Sequence, residues 1–328
     1  MKISVVIPTY LRPNDLARCL QALCNQTRLP DEVLVVIRDT DVETKTLLES
    51  FNLTPFPLQT IIVNVPGVVA AMNVGWDKTQ GDIIVSTDDD AAPHSDWLAK
   101  IETYFLSDQQ IAGVGGRDWQ YQGSHLKEEG TPRTVGKVQW FGRVIGNHHL
   151  GTGKAREVDV LKGVNMGFRR AAIQGLHFDE RMRGMGAQVN FEMAFALPLR
   201  RRGWKIIYDP SVAVDHYPAQ RFDEDQIHRG QFSAIALSNI AHNETLALLE
   251  YLSPIQRIIF LIWAVVIGTR ECPGLVQVLR FLPSRRFLIV RKWLATINGR
   301  WQGIQSWLHS ERAAVVPPPG VFEHSNSA

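Results

Sequence analysis

A chain of 328 residues, 45% of them hydrophobic, is long enough for one large α/β domain with an appendage, which excludes disorder as the default. Its formal net charge of +2 gives no global reason to expect a nucleic acid or another polyanion as partner. Three cysteines, Cys19, Cys24 and Cys272, make no disulfide framework, so a reducing compartment is expected.

Short β-branched runs alternate with helical spacing through the first part of the chain. Strands are expected at Ile3–Ile7, Glu32–Ile37, Gln59–Val63 and Asp82–Ser86. Between them, Leu16, Leu20 and Leu23 recur at helical spacing behind Asn14 as a cap, and further helices fit near Val42–Phe51 and Val68–Lys78. Nearly continuous apolar strands separated by helices call for an α/β fold, a mostly parallel sheet flanked by helices on both faces. Met1–Pro8 has one lysine and no small-residue cleavage site, so it reads as the first strand and not as a signal peptide. A cytoplasmic location is therefore expected.

After a short helix beyond Trp97, another strand is expected at Ala112–Gly116. Arg117 to Val158 is rich in Gly, Trp and His and reads as a long loop beside a site. Order returns at Gly163–Arg170, with a helix at Phe191–Arg202 and a strand at Lys205–Tyr208. From about Glu224 the chain reads as helical. Three parts are expected: a catalytic domain over 1–222, a helical basic and aromatic extension over 223–316, and a disordered tail over 317–328.

Between Ser253 and Ser310 eight cations accompany one acid, Glu271, a local charge of +7 that leaves −5 for the rest. The apolar run Ile258–Ile267 is too short for a bilayer span, which needs about 20 residues. Trp263, Trp293, Trp301 and Trp307 stand among the cations. The segment reads either as an interfacial helix peripheral to the inner face of an anionic membrane, or as a helical pack on the main domain with a solvated basic face.

The most informative run is Ser86-Thr87-Asp88-Asp89-Asp90, at the end of an expected strand. Ligands bind at the carboxyl ends of strands in open α/β sheets, so these acids belong at a site. Packed carboxylates repel one another; a divalent cation offsets that cost most simply, and a nucleotide diphosphate would complete its oxygen ligands. Neither Gly-x-Gly-x-x-Gly after the first strand nor Gly-Lys-Ser/Thr is present, against a Rossmann dehydrogenase or a P-loop enzyme. Pro8–Pro13 contains no glycine, which also counts against a sugar-phosphate nucleotidyltransferase.

Several motifs occur in order over about residues 2–220: Ser4-Val5-Val6-Ile7-Pro8-Thr9-Tyr10, Ala71-Met72-Asn73-Val74-Gly75, Gly81-Asp82, the Asp run followed by Pro93, Lys162-Gly163-Val164-Asn165-Met166-Gly167-Phe168-Arg169-Arg170, Arg202-Gly203-Trp204 and His216. Together they resemble glycosyltransferase family 2. The resemblance implies a GT-A fold and an inverting, metal-dependent glycosyltransferase. Its donor is a nucleoside-diphosphate sugar, its cation Mn2+ or Mg2+, and its acceptor a hydroxyl of a glycan or lipid-linked precursor. Pro8, Thr9, Tyr10 and Arg12 are then expected to hold base and ribose. Asp39 would accept a hydrogen bond from the base, although a lone acid after a strand also fits a helix cap. Asn73 would make a polar contact near the nucleotide. Asp88 and Asp90 form the Asp-x-Asp pair, with Asp90 assigned to metal, Asp88 to ribose or metal, and Asp89 to either role. His216 supplies a metal or diphosphate contact and Arg221 a phosphate contact.

Inversion also requires a base for the acceptor hydroxyl, opposite the leaving diphosphate. The family carries it as the Asp of a Glu-Asp pair at a helix start. Counting back from Arg202-Gly203-Trp204, that position is Glu192, with Phe191 in place of the usual Glu. Lys162, Asn165 and Arg169 are expected near the sugar or acceptor, and Trp140-Phe141 with His148 and His149 along an acceptor groove. The departure at Phe191 keeps a competing reading open: a membrane-associated binding module without turnover.

Overall fold

The computed structural model describes residues 1–51, 54–123, 125–127, 134–225 and 231–309. The tail expected over 317–328 lies outside them.

β1 (Ile3–Thr9), α1 (Pro13–Cys24), β2 (Glu32–Arg38), α2 (Val42–Ser50), β3 (Leu58–Val63), α3 (Val68–Lys78) and β4 (Ile83–Ser86) alternate along the chain. β1 pairs in parallel with β2 and β4, and β2 with β3. Because side chains alternate along a strand, Ile3, Val5 and Ile7 pack on one face with Leu16, Leu20 and Leu23 of α1. Val6 joins Met72 and Trp76 of α3 on the other. Asn14 is not the cap of α1. The helix starts at Pro13, whose fixed φ and missing N–H suit a first turn, and no side chain caps it. The cap considered for Asp39 falls to Asp41, whose Oδ1 accepts the Thr44 N–H at 3.0 Å.

The chain continues through β5 (Ala91–Pro93), α4 (Trp97–Ser107), β6 (Ile111–Gln122), the short β7 (His125–Leu126), β8 (Lys137–Val138), β9 (Val144–Ile145) and β10 (Arg156–Glu157), then β11 (Met166–Arg169), α5 (Phe191–Arg201) and β12 (Lys205–His216). The main sheet has the order β10-β12-β6-β11-β4-β1-β2-β3. β11 runs antiparallel between β4 and β6, while β6 and β12 are parallel. Both of these strands outrun the expected ends. A register shift between Asp209 and Val214 lets β12 bend and resume pairing, so β6 reaches Gln122 and β12 reaches His216. Only glycine fits at Gly116, beside the shift: a Cβ there would lie 1.8 Å from the Val212 carbonyl oxygen. The loop expected from Arg117 therefore begins with a strand.

α6 (Ala234–Tyr251), α7 (Pro254–Val266) and α8 (Leu275–Leu308) complete the described chain. No helix of the described residues is long and apolar enough to cross a membrane. α6 is built into the main core, where Leu246, Leu248 and Leu249 share one buried cluster with Trp76, Phe191 and Phe195. α8 lies on α6 at Gly299, where a Cβ would come 2.1 Å from the Ser238 carbonyl oxygen. Buried Arg300 of α8 pairs with Glu244 of α6 at 3.0 Å. Phe141 meets Trp263 of α7 at 5.3 Å between ring centroids, and Gln256 donates to the Trp140 carbonyl at 3.0 Å. Phe141 and the Trp140 carbonyl thus mount α7, while the Trp140 side chain is exposed.

Candidate active site

β1 and β4 are parallel neighbours, so the turn after Thr9 and the Asp88–Asp90 run emerge at one carboxyl edge. Thr9 Oγ1 donates to Asp89 Oδ2 at 2.7 Å, and Arg12 Nη1 to Asp89 Oδ1 at 2.8 Å. With both Asp89 oxygens taken, Asp89, Thr9 and Arg12 brace the two strand ends against each other. These bonds fix Thr9 and Arg12 against the acidic run, with Arg12 Nε also donating to the Gln220 carbonyl at 3.0 Å.

β5 follows the triplet directly and runs antiparallel to the end of β12, with His216 opposite Ala91. That register brings His216 Nε2 to 3.3 Å from Asp90 Oδ1. On β6, Asp118 lies opposite Val214 and so shares a sheet face with His216, two residues on. Its carboxylate stands 3.5 Å from His216 Nδ1 and ion-pairs with Lys162. Asp118 is fully buried and was not among the expected site residues. A signal for it existed: an acid two residues past the expected strand Ala112–Gly116, at the edge where ligands bind.

Burial raises the Asp88 carboxyl, and Asp90 adds to the rise. Burial also raises Asp89, to about 7, against the pull of Arg12. Asp90 moves the other way. Burial opposes its charge, but His216, Arg12 and the Ala219 N–H, 2.9 Å from Oδ2, hold it well below the usual carboxylate range. Burial likewise opposes charge on His216, yet Asp118 and Asp90 lift it to about 9. A neutral His216 is therefore costly unless another positive charge takes its place.

A divalent cation fits that place. Asp88, Asp90 and His216 each offer one ligand atom, all within 4.8 Å of one another. Asp90 Oδ1 is buried without a hydrogen bond, although His216 Nε2 lies 3.3 Å away. Two carboxylates and one imidazole suit a cation such as Mn2+. Asp118 on Nδ1 leaves Nε2 facing Asp90, the arrangement by which a carboxylate orients a metal-binding imidazole.

Glu192 opens α5 from a strained turn, with φ of 41° at Gln188 and 76° at Asn190. Three bonds hold that turn. Gln188 Oε1 accepts the Val69 N–H of α3 at 2.9 Å, its Nε2 donates to the Met182 carbonyl at 2.7 Å, and Asn243 of α6 donates to the Val189 carbonyl at 3.0 Å. Phe191 is buried 5.5 Å from the Phe178 ring centroid, so its departure from the family pattern serves the core, and the carboxylate stands one residue on. Burial raises Glu192 to about 7. Lys162 and Asp88 are near enough for their charges to act on it, Lys162 lowering and Asp88 raising.

Half-buried Pro8 and exposed Tyr10 and Asp39 line an open shelf at the ends of β1 and β2, with Asp39 3.5 Å from Arg38. Asn73 is a correction. Its amide donates to the Phe178 carbonyl at 2.9 Å and accepts the Phe178 N–H at 2.8 Å, which makes it a clamp on the core. Asn165 is another, since it accepts the Trp97 Nε1–H at 2.9 Å and donates to the Val212 carbonyl at 2.8 Å. Arg169 sits at the opposite end of the sheet because β11 is antiparallel, and there it donates to the Phe105 and Ile111 carbonyls. Arg221 pairs with Asp225 at 2.5 Å. His148 is buried 3.0 Å from the Val160 carbonyl, its pKa pushed down to about 4 by burial, and belongs to the core.

A parallel α/β half-sheet joined to a mixed half, with an acidic cluster at the carboxyl edge, defines a GT-A fold. The pattern of Glycosyl transferase family 2 matches residues 4–176, more than half of the chain, and the chain belongs to that family. The glycosyltransferase AglE of Haloferax volcanii is 33% identical over 101 residues, 30% of this chain and 33% of that protein. The uncharacterized glycosyltransferase YwdF of Bacillus subtilis is 34% identical over 119 residues, 34% of this chain and 43% of that protein. The chain thus matches less than half the length of these curated relatives. Among solved structures, S. aureus TarS 1-349 in complex with UDP-GlcNAc superposes with a TM-score of 0.61 at 16% identity, covering 93% of this chain and 81% of that one. The mannosyltransferase PcManGT of Pyrobaculum calidifontis, in complex with GDP-Man and Mn2+, superposes with a TM-score of 0.52 at 18% identity, covering 95% and 88%.

Proposed function

We propose that this chain is a glycosyltransferase that moves a sugar from a nucleoside-diphosphate sugar to an acceptor hydroxyl, with inversion at the anomeric carbon. The observation that carries the reading is the meeting of Asp88, Asp90 and His216 at the sheet edge, with Glu192 close enough to sense the charge of Asp88. Family membership and the nucleotide-sugar complexes of similar folds support a donor of this class.

In this reading Pro8, Tyr10 and Asp39 receive the base, and Asp88 reaches the ribose or the cation. Asp90 and His216 hold Mn2+ or Mg2+, oriented by Asp118. When bound, the cation supplies Lewis-acid stabilisation of the leaving diphosphate. Glu192 accepts the acceptor hydroxyl proton as that oxygen bonds to the anomeric carbon and the bond to the diphosphate breaks. A carboxyl raised to about 7 is matched to that task near neutral pH.

In this reading residues 1–222 form the catalytic part, and α6, α7 and α8 belong to the extension that follows. The acceptor is a glycan or lipid-linked precursor met at the inner face of an anionic membrane. The exposed Ile258, Ile262 and Leu279 beside a basic chain segment favour this location. The test is stereochemical: NMR of early product from an α-linked donor should show a β-linked sugar, and an α-linked product would remove Glu192 from its role as sole base.

A further inference from the structure

α7 and α8 meet at a cleft that the sugar chemistry does not use. It has a volume of about 480 Å³ and is lined by Arg143, Trp263, Arg270, Gln277, Arg280 and Phe281, among others. Arg143 comes from the turn between β8 and β9, Arg270 from the α7–α8 connection, and Arg280 from α8. Among the described residues no carboxylate lines the cleft. Among the described residues none of the three guanidiniums has a carboxylate partner within ion-pair distance, while Arg280 stands over the Phe281 ring at 5.2 Å. Glu271, next to Arg270, is exposed outside the lining.

The surroundings of these arginines are apolar and open. On α7, Ile255, Ile258, Ile262, Val265 and Val266 are exposed along one stripe, while Phe260 and Ala264 are buried on the other side. On α8, Leu275, Leu279 and Leu282 repeat the stripe at helical spacing. Guanidinium forks match phosphate oxygens, and uncovered aliphatic stripes match hydrocarbon. A soluble nucleotide would satisfy the first and leave the second in water; a phosphate carried on a lipid satisfies both.

We propose that the cleft between α7 and α8 binds the phosphate headgroup of an anionic membrane lipid, with the two stripes resting in the acyl boundary. The proposal deepens the membrane part of the reading above and is independent of the donor chemistry.

The test uses the full chain in co-sedimentation with phosphatidylcholine vesicles, with and without phosphatidylglycerol. The wild type should partition onto the anionic vesicles. Arg270→Gln with Arg280→Gln should reduce that partitioning by about tenfold or more, on the scale of two surface-apposed cations. Arg291→Gln with Lys292→Gln, an equal charge loss further along α8, should reduce it by less than about threefold. Ile262→Ser with Leu279→Ser should also weaken it. All three variants should keep metal-dependent binding of nucleoside-diphosphate sugar, so a failed donor reading and a failed cleft remain separate results. Equal loss in the two arginine and lysine pairs would replace the cleft with diffuse attraction. Absence of wild-type partitioning, or cleft-dependent binding of inorganic phosphate alone, would overturn the lipid assignment.

Discussion

On one side of the site, β1 to β4 are short and parallel, and β1, β2 and β4 are mostly apolar and buried. On the other side, β6 and β12 are twelve-residue strands that turn polar midway and carry Asp118 and His216 within them. The first half works as a frame: Thr9, Arg12 and Asp89 use their polar groups on one another and fix where Asp88 and Asp90 stand. The second half supplies the groups whose charge state is tuned. In the proposed function donor recognition falls on the frame and reactivity on the bent strands and the α5 turn, so one can change with little disturbance of the other.

The largest way to break this comparison is Asp90→Ala, which removes the residue where both halves meet. Metal-dependent turnover should fall by about a thousandfold, measured as release of nucleoside diphosphate. Asp118→Asn tests the second half alone. Mn2+ affinity should drop about 10- to 100-fold, the usual cost of losing a carboxylate behind a metal-binding imidazole, while nucleotide affinity without metal stays unchanged; a calorimetric titration reads both. A smaller and graded effect comes from pH. In the proposed function Glu192 acts as base only when ionised, and burial raises its pKa to about 7. Transfer should therefore rise about tenfold per pH unit below that value and level off above it. A flat profile between pH 5.5 and about 8 would point to a different base. The smallest effect on chemistry is expected from Gly299→Val. It presses on the Ser238 carbonyl and should cost about 1–3 kcal/mol of stability, read by thermal unfolding, with catalytic constants preserved below the transition.

The same contrast decides what the sequence could reveal. The frame is legible because β1, β2 and β4 are mostly apolar runs and α1 repeats its leucines at helical spacing, so the order of its elements and the place of Asp88–Asp90 follow from the pattern. β6 and β12 were cut short because Arg117–Gln122 and Asp209–Ser211 are polar, and a bulge spanned by Gly116 has no periodic signature. Asp118 was lost with the end of β6. Asn73 and Asn165 were assigned to ligands although their amides close backbone bonds with Phe178 and Val212, partners remote in sequence. Arg169 was placed on the wrong side because an antiparallel β11 reverses the end at which a residue emerges. Counting from Arg202-Gly203-Trp204 points to Glu192, but the support of its turn by Gln188 and Asn243 depends on helices far away along the chain.

The most direct measurement is donor binding by Glu192→Gln beside its turnover, across a panel of nucleoside-diphosphate sugars with Mn2+. The account predicts affinity within about twofold of the wild type and transfer lowered by at least about 100-fold. Affinity and transfer falling together, or transfer near the wild-type rate, would contradict it.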